Sequence, residues 1–137
     1  MCARVARPAL LRGPSTSPLD VMALDASAVV ALVDAQLTAM SNPALITLVA
    51  RLRVSPRCEL RPWPYAERHH YPCWIVLEHP PSNTGIAYCA DGFGPRAPWG
   101  LLWLSEHLSM GDDSAWFTSL EDALRDSRAI EELGHAV

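Results

Sequence analysis

The sequence predicts an α+β domain: an N-terminal αα-hairpin, then an antiparallel sheet of four strands or five, then a C-terminal helix packed on one sheet face. Three observations predict it. Apolar residues recur at helical spacing between positions 25 and 52. Large rings and β-branched residues then fill a stretch broken by Pro and Gly, where four of the five tryptophans lie (Trp63, Trp74, Trp99 and Trp103). Helical spacing returns after a capping pattern at Thr118 and Ser119. Runs of one element followed by runs of the other argue against an alternating α/β fold.

Residues 1–21 carry Pro8, Gly13, Pro14 and Pro18 and no periodicity, so they read as a disordered extension, with Met22 opening the folded part. Asp25 or Ser27 can cap a first helix. Val29, Leu32, Val33, Leu37 and Met40 give that helix an apolar stripe. Asn42 caps a second helix, and Pro43 sits at its first position, where a missing N–H does no harm. Leu45, Ile46, Leu48, Val49 and Leu52 form its stripe, and Pro56 stops it.

Cys58 to Tyr65 predicts an edge strand, because Pro62 and Pro64 cannot donate to a central ladder. Pro72 to Glu78 is the strongest strand pattern, and Ile86 to Asp91 returns from it. The Gly92–Pro98 loop leads to a strand over Trp99 to Ser105, and Ser114 to Phe117 can add a short fifth. Leu120, Ala123 and Leu124 then mark the last helix, with fraying expected over residues 129–137. The organisation is a single domain over 22–128 between two loose ends.

The hairpin register decides which side chains share a face, because a one-residue slip reverses them all. With Pro80 to Asn83 as the loop, His79 opposes Thr84 and Trp74 opposes Cys89. That register gathers Cys73, Ile75, Leu77, Ile86, Tyr88 and Ala90 on one core face, and it is the preferred one. Trp74, Val76, Ala87 and Cys89 then share the other face, open to water or a partner.

Composition narrows the function. Half of the 137 residues are apolar and 19% are charged, as in a globular protein. The net charge of −4 creates no general attraction for nucleic acid. Charge is uneven: Arg51, Arg53, Arg57, Arg61 and Arg68 form a basic stretch, whereas the acids gather after residue 105. That asymmetry suits a charged partner or a homodimer. No apolar run reaches membrane-spanning length. Four cysteines with no CxxC spacing and no secretory signal read as reduced thiols of a cytoplasmic protein.

The thiol and imidazole groups are the one set able to carry chemistry. His69 or His70 with Cys73 and Cys89 could approach a zinc tetrahedron, and Cys89 with His79 and Asp91 has the residue types of a nucleophile site. Neither spacing is diagnostic, and no P-loop, HExxH or nucleophile elbow occurs. Gly92-Phe93-Gly94-Pro95 feeds a strand and not a helix, so it reads as a shaped connection with Arg96 at its tip.

The leading expectation is therefore a non-catalytic protein-binding or regulatory domain of accessory, inhibitor or immunity type, with no cofactor. Its contact residues are Trp63, Trp74, Phe93, Arg96, Trp99 and Trp103, since Trp and Arg dominate interface hot spots. A metal- or thiol-dependent enzyme and a small-ligand or saccharide binder are the alternatives.

Overall fold

The computed structural model describes residues 24–105 and 108–133. The expectations for the extension at 1–21 and for residues 134–137 lie outside the described residues. Helix α1 spans Ala26–Ala39, and the Asp25 carboxylate accepts from the Ala28 N–H at 2.8 Å. Helix α2 spans Pro43–Leu52, where the Asn42 side-chain oxygen accepts from the Ala44 and Leu45 N–H groups. Five strands follow: β1 (Arg53–Pro62), β2 (His70–His79), β3 (Thr84–Tyr88), β4 (Trp99–Trp103) and β5 (Trp116–Phe117). Helix α3 spans Leu120–Arg125 and is capped by Ser119, which accepts from the Asp122 N–H.

The sheet is an antiparallel meander in the order β1-β2-β3-β4-β5. Strand β1 begins directly after α2, five residues before the expected start at Cys58. Pro56 does not stop it, because β1 is an edge strand whose pairing with β2 is irregular between Arg53 and Arg57. Where fraying was expected from Ala129, residues Arg128–Leu133 form a 3-10 helix and Ala129 is buried. The cause is local: Ser127 Oγ donates to the Leu124 carbonyl, and Ile130 packs on the core.

The β2–β3 hairpin corrects the expected register half-way along. His79 does oppose Thr84, across a Pro80–Ser82 3-10 turn that closes on Asn83 in the left-handed region (φ 57°). Pairing then shifts between Ile75 and Leu77, leaving Val76 without a partner on β3. Such a bulge places one extra residue on one strand. Beyond it Trp74 opposes Tyr88, not Cys89. On β2 the faces are reversed from there on, whereas Ile86 and Tyr88 stay with Leu77 on the expected face and Ala87 and Cys89 on the other. Trp74, Val76, Leu77 and Ile86 join the α-helical core with Val29, Val33, Leu45, Leu48 and Val49.

The other face is not open. Cys73, Ile75, Ala87, Cys89 and Leu102 form a second core with Met110 and Trp116. The chain after β4 supplies its cover: Met110 N–H donates to the Pro62 carbonyl at 3.2 Å, so this segment reaches back to the end of β1. Trp116 N–H donates to the Met110 carbonyl at 2.7 Å, which fixes the indole over the sheet. Gly100 lies directly beneath that indole. A Cβ there would stand 2.3 Å from its ring carbons, so only glycine admits the ring.

Candidate functional site

Arg61 organises the end of the second layer. It is 1% exposed, although an arginine is almost never fully buried unless paired. Its guanidinium is fully engaged: Nε donates to Glu59 at 2.9 Å, Nη2 to the Trp103 carbonyl at 2.9 Å and Nη1 to the Leu108 carbonyl at 3.2 Å. A side chain from the first strand thereby holds the end of β4 and the segment after it. The planar fork of donors suits this three-way task.

Beside that clamp lies a groove of about 410 Å³, lined by Leu101, Trp103, Leu108, Met110 and Asp112 among others. Trp103 is 51% exposed and Leu108 is 42% exposed. The groove follows the outer edge of β4, which β5 covers only opposite Trp99 and Gly100. Cys89 N–H bonds the Pro98 carbonyl and Leu104 N–H bonds the Asn83 carbonyl, so the even-numbered residues of β4 point their backbone groups at β3. Leu101 and Trp103 therefore point theirs outward, with the Trp103 carbonyl taken by Arg61. At the rim, the Ser114 hydroxyl and N–H hold the Asp112 carboxyl below its usual range and keep it charged.

The structure separates the tryptophans expected to form one contact face. Trp74 and Trp99 are buried in the α-helical core, and Trp99 packs edge-on against Tyr88. They are core residues and present no surface. Trp63 sits half-buried on the second layer, in a ring cluster with Tyr65, Tyr71 and Phe93 at centroid distances of 5.1, 5.5 and 4.7 Å. Phe93 anchors the Gly/Pro loop there, and Arg96 is exposed. Of the six, Trp103 and Arg96 are exposed, at opposite ends of β4.

Among the described residues, no three His, Cys, Asp or Glu side chains converge as a metal site. His69 and His70 are exposed, and His69 Nδ1 is 3.0 Å from its neighbour Glu67's carbonyl oxygen. Cys73 and Cys89 are buried together as free thiols. The neighbouring Cys89 thiol, then burial, pushes the Cys73 thiol far above its ordinary pKa, and the Cys73 S–H donates to the Tyr71 carbonyl at 3.7 Å. Cys58, by contrast, is disulfide-bonded, which corrects the expectation of four reduced cysteines.

Four of the five arginines in the basic stretch are paired from within, and Arg68 is exposed. Arg51 pairs with Glu132, Arg53 with Asp34 at 3.0 Å, Arg57 with Glu59 and Glu78, and Arg61 with Glu59. Sequence reasoning missed one further network. His79 Nδ1 lies 2.7 Å from Ser82 Oγ, and its Nε2 bonds Glu132, which Arg51 also holds. The residue types are those of a nucleophile triad. The adjoining cavity has room for about 10 Å³ of water, roughly one molecule. Ser82 Oγ also shares a bond with Thr84 at 2.6 Å, so the set locks the turn to the C-terminal 3-10 helix. His79 and Glu132 lie 53 positions apart, and no spacing rule could have joined them.

No family model matches this chain, and no curated protein or solved structure matches it. No helix among the described residues is long and apolar enough to cross a membrane.

Proposed function

We propose that this protein is a small non-catalytic protein-binding domain of accessory, inhibitory or immunity type. It takes an extended segment of its partner along the open edge of β4. The observation that carries this reading is Trp103, half exposed at the end of an incompletely paired strand. A strand edge supplies backbone hydrogen bonds, and flanking apolar side chains supply specificity. Trp103 and Leu108 are the apolar contacts, and Asp112 on the rim favours a basic residue in the partner. The Gly/Pro loop offers Arg96 as a separate contact for an acidic group. In this reading the N-terminal helices act as an αα-hairpin and, with α3, cover the far face of the sheet. A second copy of the chain is a further candidate partner. A cytoplasmic setting belongs to the same reading. The free thiols of Cys73 and Cys89 support it, and the disulfide at Cys58 weighs against it.

The test is affinity capture from the native host with the wild-type chain and Trp103→Ala. One partner should be lost with the variant while its melting temperature stays unchanged. Equal capture by both chains would exclude this edge as the contact. Sedimentation of the purified protein reads the homodimer directly.

One observation favours a second reading, a small-ligand or saccharide binder: about 410 Å³ falls in the range of ligand pockets. Tryptophan fluorescence against a ligand panel tests it, with Trp103 as the reporter. A spectrum unmoved by every compound counts against it.

A further inference from the structure

We propose that Cys73 and Cys89 form an enclosed dithiol–disulfide site that joins β2 to β3 on oxidation by a small peroxide. The bulge at Val76 creates the pairing. One step beyond the last paired positions, Trp74 and Tyr88, Cys73 stands opposite Cys89 on the same face. Cys89 turns its N–H toward Pro98 on the β4 side, so these two residues occupy a non-hydrogen-bonded position between β2 and β3. Such positions hold opposing Cα atoms about 4.5 Å apart, inside the range a disulfide spans. The two free thiols lie in the same core, and both are fully buried. Closure therefore needs rotation of side chains and no movement of strands.

Burial selects the oxidant. Phe93, Trp63 and Tyr71 pack against this core, so a molecule of hydrogen peroxide's size is suited where a glutathione-sized disulfide is not. The Cys73 S–H donates to the Tyr71 carbonyl at 3.7 Å and so holds its proton, and the Cys89 sulfur attacks first. The peroxide O–O bond breaks, one oxygen forms the sulfenic acid on Cys89, and the other leaves as water. The Cys73 sulfur then attacks the Cys89 sulfur. Its proton leaves with the sulfenic oxygen as a second water, and the S–S bond forms. Two thiols are oxidised and one peroxide is reduced to two waters.

The test uses the full, folded chain. Purified protein is exposed to dilute hydrogen peroxide, alkylated in denaturant, and mapped by mass spectrometry without reduction. The expected product is a peptide pair linked through Cys73 and Cys89, at least tenfold above any other new linkage and reversed by dithiothreitol. The same treatment in urea should lose that preference, because the register no longer holds the sulfurs together. In Cys73→Ser, Cys89 should instead proceed to the sulfinic acid, and the wild-type comparison in urea stands even if that variant misfolds. Two outcomes would overturn the proposal: thiols that alkylate fully after peroxide, or separate oxidation of each cysteine with no link between them.

Discussion

Arg61 shows how much one side chain can decide. Its removal leaves one Glu59 oxygen and two carbonyls without the donor that Arg61 supplies, while Arg57 still holds the other Glu59 oxygen. Breaking a buried pair from one side costs about 3–5 kcal/mol, and partial exposure of Glu59 places Arg61→Met near the lower figure. Urea unfolding measures it, and Trp103 emission should redden as the end of β4 loosens. Gly100→Ala belongs to the same scale. The added methyl meets the Trp116 ring, so a loss of about 1–3 kcal/mol is expected from overpacking. The tryptophans should divide sharply in the same assay. Trp74→Ala opens the core and should cost about 3–5 kcal/mol. Trp103→Ala removes an exposed ring and should stay within about 0.5 kcal/mol. Comparable losses for the two would mean that Trp103 is structural, and the proposed contact would lose its anchor.

Among the elements, the helices follow local chemistry closely. Asp25, Asn42 and Ser119 each cap the helix they precede, as residue type and spacing predict. Ser119→Ala should cost about 1 kcal/mol and speed hydrogen exchange at the Asp122 N–H; an unchanged midpoint would show that packing of Leu120 and Leu124 alone holds α3. Strands were legible in existence and order but not in their faces. The preferred register is right at the His79–Thr84 end and wrong beyond Val76. Nothing in the run Trp74-Ile75-Val76-Leu77 marks a bulge, since each of these residues suits either face. That single extra residue turns Trp74 inward and brings Cys73 beside Cys89.

The whole molecule is a sheet with a core on each face, tied together by long-range polar contacts. Arg51, His79 and Glu132 link α2, β2 and the C-terminal 3-10 helix. The Arg51 hydrogen bond, then that of His79, holds the Glu132 carboxyl below its usual value of 4.5. The folded state thus binds this proton more weakly than the unfolded chain. The stabilisation is complete above about pH 4.5 and drains away as pH falls through the lower folded value. Glu132→Gln should flatten that part of the stability curve and leave its alkaline side unchanged. A curve with the wild-type slope would remove Glu132 from the acid response.

By itself the sequence determined the α+β class, the order of elements, the capped helix starts and the absence of a recognisable catalytic motif. These depend on residues a few positions apart, where spacing and turn chemistry act directly. Only the tertiary structure decided which face each strand residue takes, that both faces of the sheet are covered, and that Arg61 and Glu132 are partnered far along the chain. Those outcomes rest on one bulge and on contacts across dozens of residues, whose free energy arises from packing that no local pattern contains.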